Sequence, residues 1–285
     1  MMKLSGVFRY PVKSVRGHSL AEALVEHRGI AGDRRWMLID ANGRFLTRRQ
    51  FPQMALLDVT VGDGPILFDH PTLGRCEAGI PGSDAETATA SVWRDTLPVR
   101  LGNPAADAFL TAALGRPVRL AYQPDDSVRP IDPAWSRPGE HVSLADGFPL
   151  LVTTDASLAA LNERLVTPVT MARFRPSIVI AGAEAWAEDR WRRIRIGGVV
   201  LRIAKPCSRC IIVTQQPLTG ERLDGNEPLT TLRAMGHAGT GGIMFGQNAI
   251  ADRIGTIRVG DEVEVLEDGR ATSDPPPVAV RTAGP

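Results

Sequence analysis

Three cysteines in 285 residues, Cys76, Cys207 and Cys210, are too few for a disulfide framework or for a four-cysteine iron–sulfur cluster held within the chain. Thiols this sparse fit a reducing compartment. An excess of one charge is missing as well. Lys and Arg number 33 against 32 Asp and Glu, a net charge of +1, which argues against the broad basic footprint of a nucleic-acid binder. No apolar run approaches the roughly 20 residues of a membrane span. The longest, such as Ile178 to Ala183, have the length of buried strands. The first fifteen residues carry neither an apolar signal core nor a small-residue cleavage site. The expectation is a cytoplasmic protein with no membrane and no nucleic-acid partner.

Glycine (28) and proline (22) are plentiful, and that abundance predicts many short turns. At roughly 150 residues per domain the chain makes about two domains or one large strand-rich unit. Its first hundred residues read as strands and turns. Arg35 to Asp40 and Arg44 to Thr47 flank Ala41-Asn42-Gly43, a strong hairpin signal. Met54 to Val61 and Pro65 to Phe68 repeat the pattern around Gly62-Asp63-Gly64. Two more strands are expected within residues 86–101, around Val92-Trp93 and Val99-Leu101. The period then changes: Asn103 as cap, Pro104 at the first position and Gly115 beyond the end predict a helix between them. Val118 to Tyr122 resumes as a strand, and the Asp- and Pro-rich residues 123–139 read as a linker. Beyond it the expected order is a strand near Leu150-Val152, a helix from Asp155 to Leu165, strands at Ser177-Ile180, Ile194-Ile196 and Val199-Ile203, a short helix from Pro228 to Met235, and strands at Ile243-Ile250 and Ile257-Val265. Residues 269–285 read as a disordered tail.

Cys207-Ser208-Arg209-Cys210 is the sharpest local feature. A C-x-x-C pair serves as half a zinc site, as a redox dithiol, as a thiolate offered to another metal, or simply as two buried small side chains. The five histidines supply no zinc-ligand spacing, and Ile211 to Thr214 reads as a strand rather than the helix a thioredoxin-like dithiol opens. A single soft thiolate bound to a transition metal or metallo-cofactor is the functional reading, with Lys205 and Arg209 beside it to hold it ionised. Cations at Lys13, Arg34 and Arg175 fall at strand ends or turns, where they can converge on a phosphate or remain solvated surface charges. The denser set Arg190, Arg192, Arg193 and Arg195 reads as one exposed strand face. Gly239 to Gly242 lacks the Lys-Ser/Thr of a phosphate loop and reads as a flexible loop.

Taken in order, Tyr10-Pro11-Val12-Lys13-Ser14, Asp33-Arg34-Arg35-Trp36, Arg173-Phe174-Arg175-Pro176, Lys205-Pro206-Cys207-Ser208-Arg209-Cys210, Gly246-Gln247-Asn248 and Gly255 to Asp261 resemble the MOSC family. The resemblance covers about residues 3–267 and is to the mitochondrial amidoxime-reducing components and the bacterial MOSC reductases of hydroxylaminopurines. It implies an α+β, strand-rich fold: an N-terminal MOSC β-barrel-like domain over 1–122, the linker 123–139, and a C-terminal MOSC β-barrel with peripheral helices over 140–268. It further implies a molybdenum cofactor (Mo-molybdopterin), with Cys210 as metal ligand and catalytic residue and Cys207 not a ligand. Lys13, Ser14, Arg34 and Arg175 would hold the phosphate and pterin. Ser177 stands where relatives often have Asn, and Gly147-Phe148-Pro149 where they often have Thr-Ser-Pro, leaving backbone contacts from Gly147 and Phe148. Ser208, beside the ligand, is placed to contact the pterin. The implied activity is reduction of N-hydroxylated compounds. No flavin or NAD fingerprint is present, so a separate ferredoxin-, cytochrome- or flavoprotein-type donor would supply electrons. Sulfur transfer by a MOSC protein and non-catalytic cofactor binding are the alternatives.

Overall fold

The computed structural model describes residues 1–61, 65–239 and 241–269. Seven strands close a barrel. In spatial order they are Leu150–Thr154, Ile178–Ala181, Met2–Arg9, Glu262–Asp268, Trp191–Ile196, Val199–Arg209 and Gly242–Arg253, the last returning to the first. β-branched and leucine side chains drive the closure, because alternate residues point inward and fill the interior. Leu4, Val7, Val152, Ile180, Ile194, Leu201 and Ala249 form that core. Leu4 and Val7 are three apart, which strict alternation forbids. A register shift between Leu4 and Gly6 inserts the extra residue and turns both inward. Leu150–Thr154 and Ile178–Ala181 pair in parallel and are joined through the helix Asp155–Asn162. Thr154 caps that helix, its Oγ1 accepting the Ser157 N–H at 3.1 Å.

Beside the barrel lies a half-barrel. Its four-stranded sheet runs Trp36–Ile39, Arg119–Tyr122, Asp95–Leu101, Thr87–Val92. Asp58–Val61, Ile66–His70 and Gly74–Ala78 make a second, three-stranded sheet. The helix Pro104–Leu114 covers it as expected: Asn103 Oδ1 accepts the Ala106 N–H at 2.8 Å, and Gly115 ends it at φ +68°. The strand-rich α+β class is the one expected.

Several boundaries differ from the sequence reading. Pro52 starts a 3-10 turn at Pro52–Leu56, so the strand begins only at Asp58. The hairpin at Asn42-Gly43 forms, but its second limb is a single bridge, Ile39 to Phe45. The helix stops at Asn162 because that side chain turns outward to bond both the Val169 N–H (2.8 Å) and C=O (3.0 Å). Ile257 to Val265 splits into Gly255–Arg258 and Glu262–Asp268, since Gly260 turns the chain at φ +99° and Asp261 accepts the Arg258 N–H. Ile211–Thr214 is a 3-10 turn and not a strand, closed by Thr214 Oγ1 on the Ile211 carbonyl at 2.8 Å. Gly62-Asp63-Gly64, Thr240 and residues 270–285 lie outside the described residues.

Two features tie the halves together. Met2–Arg9 is a barrel strand, and Glu22–Glu26 pairs with Gly255–Arg258. Residues 123–139 are anchored by buried Gln123, Ser127, Arg129 and Ile131. A chain starting at residue 123 therefore lacks the strand between Ile178–Ala181 and Glu262–Asp268. It is expected to give no cooperative thermal transition by circular dichroism, and peptide 1–30 is expected to restore one. A cooperative transition from the fragment alone contradicts the shared barrel.

Candidate functional site

Three turns bring cations to the seam between barrel and half-barrel. The first leaves Met2–Arg9 through Tyr10, whose N–H donates to Asp33 Oδ1 at 2.7 Å, and reaches Lys13 and Ser14. The second carries Arg34, whose N–H donates to the Tyr10 carbonyl at 2.7 Å. The third carries Arg175, just before Ile178–Ala181. Ser14 (φ +66°), Arg34 (φ +45°) and Arg175 (φ +53°) all sit in the left-handed region. Side chains other than glycine seldom adopt it, and each such residue costs about 1–3 kcal/mol. The fold holds three of them at one place.

The Tyr10 ring is the hub. The Arg34 and Arg175 guanidinium groups lie 4.6 and 4.2 Å from its centroid, and its hydroxyl donates to the Pro176 carbonyl at 3.0 Å. Burial pushes that hydroxyl up to about 12, so it stays neutral. Asp33, fully buried, pairs with Arg34. Lys13 Nζ donates to the Leu144 carbonyl (2.8 Å) and to Asp146 Oδ1 (2.7 Å). Even so, burial lowers Lys13 to about 8, with Asp146 only partly opposing it. Burial, and then the neighbouring Arg34, lowers Arg175 to about 10. Lys13 and Arg34 each face one acid, Asp146 and Asp33, while Arg175 donates to the Val15 carbonyl, so three buried cations share two acids. The site is electrostatically set for a negatively charged ligand.

Lys13, Ser14, Arg34 and Arg175 line one cleft together with Thr47, Arg49, Asp146, Gly147, Phe148, Cys207, Arg209, Cys210 and Asn248. Cys210 follows the end of Val199–Arg209 and begins the 3-10 turn. Arg209 donates to Cys207 Sγ at 2.9 Å and to the Phe174 carbonyl, while its Nε is buried without a partner. The thiol it meets is thus that of Cys207. Lys205 turns away altogether, its Nζ 5.0 Å from the Trp135 ring and 5.3 Å from that of Phe148.

Of the residues singled out from the sequence, Lys13, Ser14, Arg34, Gly147, Phe148, Arg175 and Cys210 come together here. Ser177 and Ser208 do not line the cleft. Ser177 is fully buried, its Oγ accepting the Leu151 N–H at 3.2 Å. Ser208 projects from the opposite face of its strand, since neighbours alternate, and donates to the Gly241 carbonyl at 2.5 Å. Thr47, Arg49 and Asp146 went unsingled in the sequence. Asp146 directly precedes Gly147-Phe148, which was the one available signal.

Family comparison bears on this cleft directly, because both halves that build it are matched. The MOSC N-terminal beta barrel domain matches residues 1–117, and the MOSC domain matches residues 139–264. The chain belongs to the MOSC family. Mitochondrial amidoxime-reducing component 1 from Homo sapiens is 33% identical over 291 residues, covering 90% of this chain and 81% of that protein. Its Xenopus laevis counterpart is 30% identical, covering 91% and 81%. Among solved structures, the YUAD protein from Bacillus subtilis covers 92% of this chain and 94% of its own, at 12% identity and a TM-score of 0.41.

In this MOSC chain the titration of Lys13 is a stability term. Folded, Lys13 loses its proton near pH 8; unfolded, near 10.5. Between those values the unfolded state binds more protons, so stability rises with pH. Relative to Lys13→Met, the wild type without ligand is expected to gain about 2–3 kcal/mol between pH 7 and 10, measured by urea unfolding. A difference that stays flat with pH contradicts the burial argument.

Proposed function

We propose that the chain is a molybdenum-cofactor-dependent reductase of N-hydroxylated compounds such as N-hydroxylated bases, hydroxylamines and amidoximes. The observation that carries this is the meeting, in one cleft, of the Cys210 thiol with Lys13, Arg34 and Arg175 on strained turns. The donor set fits the cofactor on two counts. A soft thiol is available to a transition metal. Arg175, lowered by burial and bonded to the Val15 carbonyl, and the partnerless buried Nε of Arg209 are short of an anion, and a phosphate monoester carries nearly two negative charges.

Cys210 is assigned as metal ligand and catalytic residue. Lys13, Ser14, Arg34 and Arg175 would take the phosphate and pterin, and Gly147 and Phe148 would add backbone contacts. Ser177 and Ser208, bonded elsewhere, are left out. When bound, the cofactor supplies two-electron reduction of the N–O bond, R–NHOH + 2e⁻ + 2H⁺ giving R–NH₂ + H₂O. The protein orients the group and sets its electrostatics. Lys13 and the arginines hold the anionic end, and Asp33 keeps Arg34 in place. The electrons would come from a separate ferredoxin-, cytochrome- or flavoprotein-type donor, which fits relatives named as reducing components. We place this activity in the cytoplasm. The second thiol in the cleft, Cys207, supports one alternative, sulfur transfer.

Protein from cofactor-replete cells is expected to carry about one molybdenum per chain by mass spectrometry, lost in Cys210→Ala and retained in Cys207→Ala. Metal-free wild type with a cysteine persulfide favours sulfur transfer instead. Arg175→Ala removes a charge-assisted bond of roughly 1.5–3 kcal/mol and is expected to lower cofactor retention far more than Arg192→Ala. Equal molybdenum in those two variants contradicts the assignment of Arg175.

A further inference from the structure

We propose that the groove leading from the cleft across Phe148 to Trp93 seats the planar ring of aromatic or heteroaromatic N-hydroxylated substrates; this rests on the reductase reading. Asp146, Gly147 and Phe148 line both the cleft and this groove, so the two are continuous. Trp93 and Lys205 lie further along it.

Trp93 is an unexpected residue for its position. Val92 pairs with Asp95, so Trp93-Arg94 is a two-residue hairpin turn, and Trp93 adopts φ +57°. Such turns favour Gly, Asn or Asp, and a bulky aromatic there is strained. Burial does not account for it, since Trp93 is 47% exposed. Phe45 and Arg49 take part of the ring surface, and the exposed remainder is open to a ligand.

The ring is held in place. Phe45 meets it edge-on at 4.9 Å, and the Arg49 guanidinium lies 4.5 Å from its centroid. Arg49 also lines the cleft, which links the two sites. The hairpin is fastened to the cleft wall through one buried guanidinium, Arg129. Its Nε donates to Asp95 at 2.7 Å, and its other nitrogens donate to the carbonyls of Ser143, Ala145 and Asp146. Arg94 adds an ion pair to Asp132 at 3.0 Å. The groove is therefore preorganised, which lowers the ordering cost of binding. Exposed Trp93 and the part-buried Phe148 offer apolar ring surface for stacking. Lys205, Asp95 and Asp132 add polar edges suited to ring heteroatoms.

The test is steady-state kinetics on benzamidoxime and acetamidoxime, an aromatic and an aliphatic molecule with the same reacting group. Trp93→Ala is expected to raise KM for benzamidoxime about tenfold relative to acetamidoxime, equivalent to about 1.4 kcal/mol, and Trp93→Phe to recover most of it. Trp93 is exposed, so the variant is expected to fold. A second readout needs no loaded cofactor: calorimetry of benzamidoxime binding to Cys210→Ala protein, with and without Trp93→Ala. Weaker binding on loss of the indole supports the ring seat. Unchanged KM ratio and unchanged binding overturn it. A wild type without molybdenum or activity overturns the reductase reading instead, and the calorimetry still decides the groove.

Discussion

The structure is organised around the burial of several cations with too few anions to match them. Lys13, Arg34 and Arg175 converge where Met2–Arg9 leaves the barrel, and Asp33 and Asp146 are the acids that face them. Taking a charge out of water is costly unless it is paired, so an arrangement of this kind persists only if the surrounding fold imposes it. Here the imposition is visible in three left-handed backbones and in a tyrosine ring flanked by two guanidinium groups. The low effective dielectric that makes these cations expensive also strengthens their pull on an incoming anion.

Rigidity comes from shared strands. Because the first strand sits between Ile178–Ala181 and Glu262–Asp268, the turn carrying Lys13 and Ser14 is fixed to the barrel that carries Arg175 and Cys210. Hydrogen bonds then cross the seam: Lys13 to the Leu144 carbonyl, Tyr10 to Pro176, and Gln215 to the Arg48 carbonyl at 2.8 Å. A site assembled from distant stretches of chain is held by regular elements and not by loops alone, as a preorganised site requires. The family boundaries at residues 117 and 139 thus divide the sequence without dividing the sheets.

Much of this was legible in the residues. Capping chemistry located Pro104–Leu114 to the residue, and the ordered motifs named most of the cleft. The misses have local causes. Ile211 to Thr214 is as β-branched as a strand, yet it turns because Thr214 bonds back to Ile211. Ser208 and Cys207 are adjacent in sequence, but strand alternation sends them to opposite faces. Lys205 and Arg209 flank the cysteines in sequence, but only contact geometry reveals that Arg209 holds Cys207 and that Lys205 lies against aromatic rings. Val92-Trp93 reads as strand because both residue types favour one, yet the strand ends at Val92 and Trp93 turns the chain at positive φ.

We propose that the seam is a prebuilt seat for an anionic metallo-cofactor. A crystal structure of protein from cofactor-replete cells tests it most directly. Phosphate density is expected within hydrogen-bond reach of Lys13, Arg34 and Arg175, with a metal on Cys210 Sγ. Cofactor density away from these cations, or a metal held by another residue, would contradict it.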